Sequence, residues 1–230
     1  MTTIPGNLQH VRARIATACQ RAGRGVEEVT LLAVSKTFGA DAVRAAAAAG
    51  QRAFGENYIQ EGVEKIAALR DLGLMWHCIG PIQSNKTRLV AEHFDWVHTV
   101  DRLKIAERLS AQRPADRPPL NVCIQVNIDG GANKSGVAPG DALALARAVA
   151  ALPQLKLRGL MSIPEIAPDF EAARAVHAGA RALFDQLNAD GLGLDTLSMG
   201  MSDDLEAAIA AGSTMVRIGT AIFGSRAPKP

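Results

Sequence analysis

Hydrophobic positions fall into two periods along this chain. Leu8, Val11, Ile15 and Cys19 recur every three to four residues, the spacing of one helical face. They predict a helix over residues 7–23, stopped at Gly23. From there, short runs rich in Val, Ile and Phe alternate with Ala- and Leu-rich segments that carry charges at helical spacing. The runs predict strands over residues 30–36, 52–57, 75–80, 96–100, 121–127, 156–162, 196–200 and 215–219. The intervening segments predict helices over 41–49, 59–72, 86–93, 103–112, 141–151, 170–189 and 203–211. Apolar strands in regular alternation with helices imply a parallel sheet covered by those helices.

Eight such units run on without a visible break. They favour closure over an open, doubly wound sheet. The expected fold is α/β: a single-domain (β/α)8 TIM-type barrel with an extra N-terminal helix. Residues 1–28 hold that helix, 29–226 the barrel and 227–230 a short tail. The Pro-rich stretch at 114–119 falls inside a helix-to-strand connection, which places it as a loop on the face opposite the strand ends. A length of 230 residues suits one barrel.

Composition narrows the field of partners. The formal net charge is +2, from 25 basic and 23 acidic residues, with no block of like charge. Nucleic acid and anionic membrane are therefore poor partners. No apolar run approaches the ~18 residues of a membrane span, and the N-terminus lacks the apolar core of a signal peptide. Cys19, Cys78 and Cys123 are odd in number, widely spaced and set in apolar patterns. They read as free core thiols, without a metal site or a redox pair, in a cytoplasmic protein. His77 and His98 read as satisfied core residues.

Chemistry in such barrels sits at the C-terminal ends of the strands. There the sequence places Ser35-Lys36-Thr37, Asn57, Asn85-Lys86, Asn127, Ser162, Ser198 to Ser202, and Arg217 to Thr220. Lys36 closes an otherwise apolar strand. It is either a rim charge or an amine made nucleophilic by its neighbours. Ser202 is a natural N-cap for the helix after it. Gly219 and Thr220 offer backbone amides and a hydroxyl, and barrel phosphate sites are frequently built from the last two loops. Arg217, two residues before Gly219, points the same way. It either pairs with a carboxylate or meets a ring nitrogen. Together these residues make a ligand with an aldehyde and a phosphate coherent.

Seven segments then match a known family in order. They are Ala33-Val34-Ser35-Lys36-Thr37, Phe54-Gly55-Glu56-Asn57-Tyr58, the stretch from Trp76 to Lys86, Val126-Asn127 with Lys134-Ser135-Gly136, Gly159-Leu160-Met161, Ser198 to Asp203, and Val216 to Gly224. The chain resembles the pyridoxal 5'-phosphate (PLP) homeostasis proteins, which carry an alanine racemase N-terminal-type barrel. The resemblance implies an internal aldimine on Lys36 and Asn57 beside the cofactor ring. It implies Ile82 and Met199 as ring walls, and Ser202, Gly219 and Thr220 around the phosphate. Arg217 would face the ring nitrogen, and Lys134 would be a secondary contact. It also implies a PLP carrier that serves PLP-dependent apoenzymes, as a monomer rather than a dimer. Two other readings stay open: a PLP-dependent amino-acid racemase, and a phosphate-binding barrel enzyme with an aldolase-like lysine.

Overall fold

The computed structural model describes residues 3–131 and 135–225. Eight strands close into a barrel in chain order, each parallel to the next. They are β1 (Thr30–Val34), β2 (Ala53–Glu56), β3 (Met75–Cys78), β4 (Trp96–Val100), β5 (Leu120–Gln125), β6 (Leu155–Met161), β7 (Thr196–Ser198) and β8 (Met215–Ile218). Helix α1 (Ile4–Arg21) precedes them. Between and after them come α2 (Ala40–Ala48), α3 (Ile59–Ala68), α4 (Thr87–His93), α5 (Leu103–Gln112), α6 (Ala142–Ala150), α7 (Phe170–Ala189), α8 (Leu205–Ala210) and α9 (Thr220–Phe223). The expected barrel and its additional N-terminal helix are both present. The 114–119 loop joins α5 to the start of β5, away from the strand ends.

The pleat sorts side chains between two cores. The larger one fills the layer between barrel wall and helices, where Leu8, Val11, Ile15 and Cys19 of α1 are buried. Two smaller apolar clusters occupy the lumen: Leu32, Val34, Ile79 and Met215 in one, Trp96, Cys123 and Met161 in the other. The lumen is packed with side chains, so a ligand has room only at the mouth.

Helix α1 does more than cover the wall. Asn7 Nδ2 donates to the Ile222 carbonyl (2.9 Å) in α9, and an Arg14 Nη donates to the Ser202 carbonyl (3.0 Å) before α8. The loops after β7 and β8 are thereby tied to the first helix of the chain.

Some element ends differ from expectation. Strand β7 stops at Ser198 because Gly200 turns with a φ of 95°, and a side chain there would collide with Ala208. Ser202 does not cap α8. The helix opens at Leu205, because the Asp204 carboxylate turns back to accept from the Met201 N–H (2.6 Å) and pair with His177 Nε2 (2.8 Å).

Candidate functional site

A cavity of about 210 Å³ opens at the C-terminal ends of the strands. Lys36 enters it from the turn after β1 and Asn57 from the end of β2. Arg217 rises from β8, while Gly219 and Thr220 follow that strand. Ser202 and Asp203 come from the loop after β7. Val34, Phe38, Ile79, Ile163 and Met201 supply apolar wall. Six of the residues read from the sequence, Lys36, Asn57, Ser202, Arg217, Gly219 and Thr220, thus share one space. Ile82 and Met199 do not reach it. Both are buried in the outer core; for Met199, the alternation that turns Ser198 inward turns the next side chain outward. Lys134 lies outside the described residues.

The lining suits a planar ligand with an anionic end. A side-chain carbon at Gly219 would come within 3.2 Å of the Val34 carbonyl oxygen, so glycine keeps that floor open. Thr220 begins a four-residue helix whose leading N–H groups have no intrahelical acceptor. Asp204, which would repel an anion, faces His177 and is held below the usual carboxylate range. Burial alone would raise it, but the hydrogen bonds from His177 and the Met201 N–H outweigh that. The buried Asn57 Oδ1 has no partner among the described residues, which leaves it an open acceptor.

Arg217 is 4% exposed and, among the described residues, pairs with no carboxylate. One Nη donates to Ser198 Oγ (2.9 Å) and the other to the Ser162 carbonyl (2.9 Å). Burial lowers its pKa to about 10, which leaves it cationic at neutral pH. Below it a chain of polar groups crosses the lumen. Ser198 Oγ lies 2.9 Å from His98 Nδ1, and His98 Nε2 lies 2.9 Å from His77 Nδ1. Burial pushes His77 down to about 3 and His98 well below its usual range, so both rings are neutral. His77 Nε2 has no partner among the described residues. Placing the His77 proton on Nδ1, donating to His98, leaves that nitrogen a bare acceptor and avoids a buried unpaired N–H. His98 Nδ1–H then donates to Ser198. The histidines are buried as expected, but His77 keeps one ring nitrogen unsatisfied among the described residues, and the pair connects to the site through one hydroxyl.

The other side of the mouth holds groups that sequence reasoning missed. Lys65 of α3 is buried, with its ammonium on the Ser35 carbonyl (2.7 Å), Glu56 Oε1 (2.8 Å) and Glu61 Oε1 (2.6 Å). Glu61 lies four residues before Lys65, a spacing that reads as an ordinary surface pair. Only burial of Glu56, the residue before Asn57, distinguishes it.

Fold and mouth together define a class of protein. The chain belongs to the alanine racemase N-terminal domain family, whose model matches residues 6–227. Within that family it is 64% identical over 226 residues to the pyridoxal phosphate homeostasis protein of Pseudomonas aeruginosa, covering 98% of this chain and 97% of that one. PipY of Synechococcus elongatus has been solved without PLP (TM-score 0.85, 40% identity, 96% of this chain and 100% of that one). It has also been solved with PLP bound (TM-score 0.79, 39% identity, 91% and 100%). Alanine racemase from Corynebacterium glutamicum shares the fold at 22% identity (TM-score 0.64), over 94% of this chain and 60% of that one.

Proposed function

We propose that this chain binds PLP at the barrel mouth, attaches it to Lys36, and serves PLP homeostasis by holding and handing on the cofactor. PLP supplies an aldehyde, which joins a primary amine with loss of one water. The observation that carries the reading is the meeting of Lys36 with Arg217, Gly219 and Thr220 across a single cavity. Lys36 provides the amine, while Asn57 and Arg217 orient the ring. Gly219, Thr220 and Ser202 hold the phosphate, with Lys134 as a secondary contact. The relatives' name and PLP-bound PipY support the same assignment.

Catalysis of racemisation is the weaker reading. It needs an acid–base group on each face of the substrate. Tyr58, the chain's single tyrosine, stands at the head of α3, 54% exposed and outside the cavity wall. The chain works as one barrel unit, as a monomer in the cytoplasm, with PLP-dependent apoenzymes as recipients. Among the described residues no helix is long and apolar enough to cross a membrane.

The test is an absorption spectrum of PLP-loaded protein before and after borohydride, followed by peptide mapping. A visible band that borohydride removes, with the reduced adduct on the peptide containing Lys36, is expected. Bound PLP with no adduct on that peptide sinks the attachment. Amino-acid racemisation with kcat in the ordinary range of roughly 1–10³ s⁻¹ overturns the carrier reading.

A further inference from the structure

The turn that carries Lys36 is unusual in its backbone. The Phe38 N–H donates to the Ser35 carbonyl (3.1 Å), so Lys36 and Thr37 are the two central residues of a tight turn. Thr37 has a φ of 70° and is the only non-glycine among the described residues with a positive φ. The third position of such a turn ordinarily carries Gly or Asn, and a β-branched residue there is strained. A strained conformation persists only when its surroundings hold it.

The surroundings converge on one ammonium. Lys65 donates to the Ser35 carbonyl and to two carboxylates. The first of these, Glu56, also accepts from Ser35 Oγ (2.6 Å). The second, Glu61, also accepts from the Thr37 N–H (2.6 Å). Both peptide neighbours of Lys36 are therefore gripped by groups that Lys65 gathers. Lys65 is 6% exposed and Glu56 is fully buried. Burying an ammonium among carboxylates is a poor way to gain stability, since well-packed apolar residues commonly do as well. Fixing the direction of one lysine is a use that apolar packing does not serve.

We propose that Lys65 is a positioning residue for Lys36. Through Glu56, Glu61 and the Ser35 carbonyl it holds the strained turn, so that the Lys36 amine meets the cofactor's aldehyde carbon. This rests on the proposed attachment of PLP to Lys36. The phosphate loops lie across the mouth and are not part of the network.

The test compares full-length wild type with Lys65→Met and Glu61→Ala. Three quantities are read: affinity for PLP with the yield of borohydride-fixed adduct on the Lys36 peptide, affinity for 4-deoxypyridoxine 5'-phosphate, and amide exchange of residues 34–38 without ligand. The deoxy compound keeps ring and phosphate but has no aldehyde. Both variants should bind PLP about 10- to 100-fold more weakly, the scale of a misplaced reacting group. Adduct yield should fall with it and exchange at 34–38 should quicken, while affinity for the deoxy compound stays within about twofold. Equal losses for both ligands, or no loss for either, overturn the proposal. If Lys65→Met does not fold, Glu61→Ala carries the same criteria, because its carboxylate is partly exposed and its removal frees the Thr37 N–H. A wild type without the Lys36 adduct refutes the attachment itself. A wild type with it, and variants that match, refutes only the positioning.

Discussion

The two sides of the mouth are built from different materials. On the amine side, the turn that carries Lys36 is flanked by a buried ammonium, one buried and one partly exposed carboxylate, and a strained threonine. On the proposed phosphate side, Gly219, Thr220 and Ser202 offer small groups and backbone; Asp203 also lines the cavity there, while its neighbour Asp204 is turned onto His177. On the proposed function, the contrast follows from what each side has to do. A covalent bond requires one atom in one place, which rigid charged contacts can impose. A phosphate is a diffuse anion that several modest donors can share. The amine side should therefore fail abruptly when altered, and the phosphate side gradually.

Lys36→Ala tests the abrupt side most severely. Peptide mapping after borohydride should find no adduct on that segment, and the visible band should vanish, while weak PLP binding through the other side persists. An undiminished band would move the attachment elsewhere. Gly80→Ala comes next. A side-chain carbon at Gly80 would lie 2.0 Å from the Asn57 carbonyl oxygen, so the backbone that presents Asn57 must shift. Urea unfolding should report a loss of about 3 kcal/mol, the upper part of the range for overpacking. An unchanged midpoint would show that this approach is not as tight as the structure has it.

Acid probes the floor that joins the two sides. His77 has a folded pKa near 3 against an ordinary 6.5, so the unfolded chain binds the proton that the folded chain refuses. Stability is then complete above pH 6.5 and falls as the pH drops from there toward 3. At pH 5 the loss from His77 is about 2 kcal/mol, at roughly 1.4 kcal/mol per unit. His98 acts in the same direction. Thermal melts between pH 7 and 5 should show the slope, and His77→Phe should flatten it. A slope unaltered by that change would place the titration in other groups. The smallest effect belongs to Thr220→Val. Thr220 is solvent-exposed, so losing its hydroxyl should weaken PLP by only about 1.5 kcal/mol, roughly tenfold. The aldehyde-free analogue should lose as much, unlike its response to Lys65→Met.

Much of this architecture was legible in the chain. β4, α5 and α7 have the bounds their periodicity predicts, because each is a simple apolar run or a clean helical stripe between obvious breaks. The cavity residues Lys36, Asn57, Ser202, Arg217, Gly219 and Thr220 were legible for a related reason: parallel strands deliver their C-terminal ends to one rim. What stayed hidden depends on direction or on distant partners. Met199 as a ring wall came from the resemblance, and the pleat of β7, a strand of only three residues, is what sets Ser198 inward and Met199 outward. Arg217 has neither a carboxylate nor only a ligand to meet; its acceptors, Ser198 and Ser162, come from other strands. Nothing near Lys65 in the chain signals its burial, because Glu56, which it meets, lies on another element.

The tie between α1 and the mouth bears on the order in which the molecule is made. Asn7 and its acceptor Ile222 are 215 residues apart, and Arg14 reaches 188 residues ahead to Ser202. Helix α1 therefore leaves the ribosome long before the segments that hold Ser202 and Ile222, and neither contact can form until they follow. Contacts so distant in sequence close late, because the loop they seal is long. A nascent chain halted after residue 200 would possess seven of the eight strands and Lys36 itself, yet no Gly219, Thr220 or Arg217 to grip a ligand. On the proposed function, the ability to take up an aldehyde as reactive as PLP thus arrives only once β8 and the turn after it have been made, and copies halted before them would have little means of drawing cofactor from the cell.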